Sequence, residues 1–241
     1  MTAPGLVLEG SARIGGGRVF GPLSLEAPAG GWTCLLGPSG VGKSTILHLF
    51  AGIADAVDLD GRAEATDGAP LAGRVALMAQ SDLLLPWLDV AGNAALGARL
   101  RGERADPARV AAVLDQVGLS ALAHRKPGAL SGGQRQRAAL ARTLVEDRPV
   151  VLLDEPFSAL DAATRARMQD LAALRLAGRT VLHVTHDAAE AARLGTRILV
   201  MTGAGIHPVA PPEAPAPRAP DAPETLAATG RLTRLLLDGA A

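Results

Sequence analysis

In the stretch Gly37-Pro38-Ser39-Gly40-Val41-Gly42-Lys43-Ser44-Thr45, the first eight residues fit the phosphate-loop pattern G-x-x-x-x-G-K-[ST] in full,. That pattern works only between a buried strand and a helix, and the flanking residues supply both. Trp32, Thr33, Cys34, Leu35 and Leu36 lead in as an apolar run, Ile46, Leu49 and Phe50 follow at helical spacing, and Gly52 is placed to end the helix,. The three loop glycines let backbone N–H groups turn inward around a phosphate, and the helix N-terminus behind them adds about half a positive charge. Lys43 would then reach the β- and γ-phosphates and the Ser44 hydroxyl would ligate Mg²⁺,. A glycine-rich turn before an ordinary helix is the plainer alternative. Against it stands Lys43 itself, because Lys126 is the only other lysine in a chain that otherwise uses arginine. The loop therefore reads as a nucleotide site.

With 241 residues, the chain suits one large domain or one domain with an inserted subdomain,. Its core must be built of Ala, Leu and Val, since 48% of residues are hydrophobic and only 2% aromatic. Lys+Arg and Asp+Glu both number 24, so no basic surface points to a nucleic-acid partner. The single cysteine, Cys34, falls in the apolar strand and reads as a buried, inert thiol consistent with the cytosol,. Met1-Thr2-Ala3-Pro4 opens no basic and apolar leader pattern, and no run approaches the ~20 apolar residues of a membrane span,. Work at a membrane would need docking on something already there.

Residues 6 to 36 read as short strands with glycine-rich turns: Leu6-Val7-Leu8 begin one, Gly15-Gly16-Gly17 turn it, and Leu23, Leu25 and Ala27 alternate inward,. A small antiparallel β element is expected there. Residues 55 to 73 are polar and glycine-rich, and Val75 to Ala79 form a further apolar strand ending at Gln80. Residues 81 to about 148 read as a helical insertion that opens on the apolar knot Leu83-Leu84-Leu85-Pro86-Trp87. Within it, Ser131 and Gln134 are spaced as a capping box at the head of a long helix that must stop by Pro149,. Val150 to Leu153 are continuously apolar, as in a central parallel strand, and Asp154 and Glu155 end the run,. Asp161 caps a helix towards Gly178, and a strand from Thr180 to Val184 delivers His186. The alternation implies an α/β fold with a mostly parallel sheet, whose functional residues gather at strand carboxyl ends. Lys43, Gln80, Asp154, Glu155 and His186 all lie just past such ends. Beyond about residue 205 comes a Pro/Ala-rich tail, 206–241, in which Pro208 to Pro223 read as an extended linker and Leu226, Leu232, Leu235 and Leu236 could form a short amphipathic helix,.

A phosphate loop alone leaves kinases, GTPases, motors and helicases open. An acidic residue at the end of a buried strand suits Mg²⁺, so Asp154 would hold the ion directly or through water,. Glu155 would polarise the water that attacks the γ-phosphate, as general base or as orienter,.

Taken together, these residues resemble the ATP-binding subunit of ABC transporters, from about Leu6 to Met201. Leu130-Ser131-Gly132-Gly133-Gln134 matches that family's signature motif, Val150 to Glu155 its Walker B strand, and Ser158-Ala159-Leu160-Asp161 its D-loop. Gln80 stands at the Q-loop, where the resemblance makes it a Mg²⁺ and water contact, and His186 at the switch histidine, which would contact the γ-phosphate. The resemblance implies the ABC ATPase fold (residues 1–205), ATP and Mg²⁺ as ligands, and ATP hydrolysis by Glu155, His186 and Gln80. It further implies a head-to-tail homodimer in which Ser131, Gly132, Gly133 and Gln134 face the ATP of the opposite subunit. Transmembrane permease subunits, and through them a solute-binding protein, would be the partners, placing the chain peripherally on the cytoplasmic face of the membrane. The Leu85-Pro86-Trp87 sequence and Ala216-Pro217-Arg218 in the tail resemble the nitrate, sulfonate and taurine importer branch, which includes uptake of thiamine pyrimidine precursors.

Two departures from the family pattern stand out. Asp89 occupies a position where threonine is usual, and no tyrosine exists to stack on adenine; Ile14 takes that position, with Phe20 a less natural substitute. Base–aromatic stacking is worth about 1–3 kcal/mol, so weakened nucleotide affinity or base selectivity is expected. The Leu83–Leu88 knot has two readings, core packing of the insertion or a groove that receives a coupling helix. Two other functions stay open at this level: a soluble ABC ATPase without a membrane partner, and an ATP-dependent dimerisation switch with little turnover.

Overall fold

In the computed structural model, which describes residues 3–238, the elements run β1 (Leu6–Ile14), β2 (Gly17–Ala27), β3 (Trp32–Leu36), α1 (Lys43–Ala51), β4 (Val57–Ala65) and β5 (Val75–Met78). They continue α2 (Val90–Ala94), α3 (Leu96–Leu100), α4 (Pro107–Gln116), α5 (Gly132–Glu146), β6 (Val150–Asp154), α6 (Ala162–Arg175), β7 (Thr180–Thr185), α7 (Ala188–Leu194), β8 (Arg197–Thr202), β9 (Gly205–Val209) and α8 (Pro223–Asp238). Residues 1–2 and 239–241, the outer ends of the predicted segments 1–205 and 206–241, lie outside the described residues. The chain forms two compact units. One takes the chain up to Leu77, Arg148–Asp154 and the chain from Ala177 onward; the other takes Met78–Asp147 and Glu155–Leu176.

The first unit holds a six-stranded sheet in the order β5-β6-β7-β3-β8-β9 and a three-stranded sheet in the order β2-β1-β4. In the larger sheet β6, β7, β3 and β8 run parallel, and β9 pairs antiparallel with β8. The continuous apolar runs explain the centre: β3, β6 and β7 are buried at every position, as strands covered on both faces must be,. The smaller sheet is antiparallel throughout and alternates inward and outward, with Leu6, Leu8, Leu25 and Ala27 inside. Leu8, Leu35, Ile46, Phe50, Leu152 and Leu182 belong to one core cluster that joins both sheets to α1. Each fully buried leucine in it contributes about 1.5–3 kcal/mol.

Two parts of this unit differ from expectation. The polar stretch after α1 contains a strand, β4, which pairs with β1 along its whole length. The tail is tethered as well. Residues 205 to 209 extend the large sheet as β9, and α8 is a sixteen-residue helix packed on α7. Of the four leucines expected on its apolar face only Leu232 is buried. Thr225, Ala228 and Leu232 form the inward stripe, because the facing helix is alanine-rich at Ala188, Ala191 and Ala192 and admits a close approach,.

In the second unit α5 packs against α2, α3 and α4 through small residues, with Ala138, Ala139 and Ala141 buried. Its start is the capping box expected from the sequence: the Gln134 amide donates to Ser131 Oγ, and the Ser131 amide donates to Gln134 Oε1 at 2.8 Å,. Buried Asn93 holds the apolar knot, its Nδ2 donating to the carbonyls of Leu85, Leu88 and Asp89 and its Oδ1 accepting from the Leu85 amide. Leu84 is the buried residue of that knot, whereas Leu83 and Trp87 are 60% and 67% exposed. No helix among the described residues is long and apolar enough to cross a membrane.

Candidate active site

Within the first unit the sheet order places β7 between β6 and β3, and the three strands end level. Leu36 pairs with Thr185, and Asp154 with Val184. The phosphate loop, the Asp154 carboxylate and the turn carrying His186 therefore leave the same edge of the sheet, which is where an open parallel sheet binds ligands.

Two glycines of the loop are obligatory. A Cβ at Gly37 would lie 2.4 Å from the Met201 carbonyl oxygen. Gly42 caps α1 at φ 107°, with Phe20 and Val19 each 3.2 Å from where its Cβ would be,. The Lys43 side chain folds back onto the start of the loop: its Nζ donates to the carbonyls of Gly37 and Pro38, both at 2.8 Å. The ammonium is buried and held at the mouth of α1, where an anion would meet it together with the helix N-terminus,.

Asp154 is buried at the end of β6. Mg²⁺ is satisfied by one or two protein oxygens and fills its octahedron with water and phosphate oxygens. The buried Asp154 carboxylate at the end of β6 and the Ser44 hydroxyl in the first turn of α1 are oxygen donors of that kind, so these residue types fit the ion.

His186 is exposed, and the residues on either side of it are fixed. Thr185 Oγ1 donates to buried Glu190 Oε2 at 2.9 Å and accepts from the Asp187 amide at 3.0 Å. Asp187 Oδ1 in turn caps α7 by accepting from the Ala189 and Glu190 amides,. Behind this turn, within the sheet, the indole of Trp32 donates to His183 Nδ1 at 3.4 Å, and the rings meet edge to face.

The second unit holds the other predicted residues. Gln80 Nε2 donates to Glu155 Oε2 at 3.5 Å, the outer limit for a hydrogen bond,. Glu155 has φ 48°, a left-handed conformation that is rare away from glycine,. Gly132 and Gly133 form the first turn of α5, with Gly132 exposed and the Ser131 and Gln134 side chains occupied by the capping box. Asp161 caps α6, and hydrogen bonds from the Thr164 amide and hydroxyl hold its carboxyl below the usual range. Asp82 accepts from Arg135 Nε, and Arg142 donates to the carbonyls of Asp82 and Leu83, which pins the chain after Gln80 to α5.

Ile14 lies at the tip of the β1–β2 hairpin and is 46% exposed. Phe20 is buried under Gly42 and offers no face to a base. Sequence reasoning missed Gln136, Asn93 and Glu190, buried polar residues whose partners are backbone groups and the hydroxyls of Ser158 and Thr185. In the sequence these residues read like the solvated polar residues around them.

Residues 20–158 match the ABC transporter family model. The chain is 41% identical to an uncharacterized ABC transporter ATP-binding protein of Haemophilus influenzae, over 86% of this chain and 88% of that one. It is likewise 41% identical to the aliphatic sulfonates import ATP-binding protein SsuB 1 of Paracoccus denitrificans, over 97% of this chain and 94% of the relative. Among solved structures, a bacterial Atm1-family ABC exporter with ATP bound superposes with a TM-score of 0.72 at 27% identity, over 85% of this chain. The chain spans 38% of the length of that exporter.

Proposed function

This chain belongs to the ABC transporter family and is an ATPase of it, and from that we propose that it is the ATP-hydrolysing subunit of an importer in the sulfonate branch, driving a permease by a head-to-tail dimer cycle. In this reading Lys43 and the loop amides bind the β- and γ-phosphates, and Ser44 and Asp154 would hold Mg²⁺, with Gln80 as a further oxygen ligand. Such an ion would neutralise charge on the phosphates. Glu155, one peptide bond beyond Asp154, takes a proton from the attacking water, and His186 donates to the γ-phosphate and keeps that water in line. Oxygen attacks phosphorus, the bond to the β-phosphate oxygen breaks, and ADP leaves with inorganic phosphate.

The hydrolytic part is supported by one observation above the rest: Lys43 sits in its loop at the same sheet edge that Asp154 and the His186 turn leave. Import is supported by the relative that matches almost end to end, whose name is that of an import ATP-binding protein. Leu83 and Trp87, exposed beside a loop pinned by Arg142 and Asn93, suit the receipt of an apolar coupling helix. Solute specificity then lies in the permease and the solute-binding protein. The two parts are tested separately. Glu155→Gln should slow phosphate release about 10²–10⁴-fold, and equal rates would remove Glu155 from the chemistry. Affinity purification from gently solubilised native membranes should recover a stoichiometric multi-span protein. Recovery alone, or with ribosomes or DNA, would end the importer reading and leave the ATPase standing.

A further inference from the structure

Glu155 combines the chemistry assigned to it with a strained backbone. A left-handed φ of 48° costs a non-glycine residue about 1–2 kcal/mol and persists only where neighbours over-determine it,. The neighbour that does so here is Gln136, one and a half turns into α5 and 7% exposed. Its Nε2 donates to the Glu155 carbonyl at 3.0 Å and to Ser158 Oγ at 3.2 Å, while its Oε1 accepts from the Ala159 amide at 2.8 Å. Ser158 adds its own hydroxyl and amide to the same Glu155 carbonyl. The turn from 155 to 159 is thus closed over one side-chain amide. Only a neutral group with a donor and an acceptor at that reach makes this set: asparagine is shorter, and neither a glutamate carboxylate nor methionine has a donor. The first turn of α5 packs on the same segment, since a Cβ at Gly133 would stand 3.2 Å from the Ala159 carbonyl.

We propose that Gln136 is a positioning residue for Glu155, setting the direction of its carboxylate and making that carboxylate move as one body with the signature turn, residues 131 to 134, at the head of α5. This rests on the reading of Glu155 as the group that activates water. In a head-to-tail dimer the signature turn meets the partner's nucleotide while Glu155 serves the nucleotide of its own subunit. Gln136 then carries the engagement of one nucleotide to the water of the other.

The test uses the full chain and four variants: Gln136→Ala, Gln136→Glu, Glu155→Gln and the double variant Gln136→Glu/Glu155→Gln. Gln136→Glu keeps the volume and the acceptor for Ala159 but loses both donors, so it decides the matter where the alanine variant folds poorly. Phosphate release gives kcat, and a fluorescent trinitrophenyl-ATP titration gives nucleotide affinity. The expected result is a fall in kcat of about 10- to 100-fold with unchanged affinity, and a double variant no slower than Glu155→Gln alone. Wild-type kcat in Gln136→Glu beside a slow Glu155→Gln overturns this proposal only. So do losses that multiply in the double variant, or losses that track affinity, because a merely structural role gives those. A Glu155→Gln variant as fast as wild type overturns both this proposal and the role of Glu155.

Discussion

Cys34 shows what complete burial does to a titratable residue in this sheet. Its sulfur is sealed in β3, 3.8 Å from His183 Nδ1, and burial, aided by the Glu190 carboxylate, pushes the thiol far above its ordinary value near 9. Unfolding returns it to water, where it loses its proton above about pH 9 while the folded protein keeps it. The folded state then binds one proton more than the unfolded state, so stability is whole below that pH and falls as pH rises, by about 1.4 kcal/mol per unit. Urea unfolding at pH 8 and pH 10 should show this loss in the wild type and a smaller one in Cys34→Ala; parallel losses would mean that another group carries it. The inert thiol was legible beforehand because Cys34 is the middle residue of the five-residue run Trp32 to Leu36, which leaves it nowhere else to be. Lys43 and Asp154 likewise stand where their motifs put them, at the start of α1 and at the end of β6. Gln136 was not legible, since a glutamine in a charged helix reads the same whether it faces water or staples a turn. Ile14 was placed by the family pattern, which puts an aromatic residue ahead of the loop, and the structure adds that Phe20 is too deeply buried to replace it.

The ends of elements were easier to read than their partners. Capping is local, so Ser131 with Gln134 and Asp161 with Thr164 act as their spacing predicts. Strand β4 was passed over although Val57, Leu59, Gly61, Ala63 and Ala65 alternate. The inward residues are too small to stand out between Asp58, Asp60, Arg62 and Glu64. The tail was misread for a different reason, because polar groups anchor it. Arg218, 5% exposed, donates to the carbonyls of Ala192, Gly195, Pro212 and Ala214, and its amide and carbonyl are both bonded to Arg193. Burial lowers its pKa, but a guanidinium keeps its charge, and the carbonyls around it, two of them at the end of α7, suit that charge,. Arg218→Ala strands four carbonyls and should cost about 2–3 kcal/mol, loosening α8 first. Hydrogen exchange at the amides of α8 should rise well before exchange in β3. Arg218→Lys, which cannot span all four acceptors, should fall between. Unchanged protection in α8 would mean that its contact with α7 suffices and that the clamp is ornamental.

For the whole molecule the decisive feature of the proposed function is that one chain would own two anion sites, the loop at the head of α1 and the exposed turn at the head of α5, each at a helix N-terminus,. A γ-phosphate has oxygens enough for both, and a second copy of the chain supplies the second site without deforming the first. Under the proposed dimer, ATP is therefore part of the interface, and hydrolysis removes the atom group that bridges it. Glu155→Gln, which binds but turns over slowly, should accordingly run as a dimer in light scattering with ATP and Mg²⁺ and as a monomer with ADP. Gly132→Asp added to it separates the two sites. Aspartate is well tolerated at the start of a helix, but its carboxylate there would face the partner's γ-phosphate. The double variant should bind ATP with the affinity of the Glu155→Gln monomer and yet stay monomeric. If it dimerises as before, α5 is not at the interface and the second anion site has some other use. If it loses ATP binding as well, the two sites lie on one nucleotide within one chain, and the dimer is not needed to explain the signature turn.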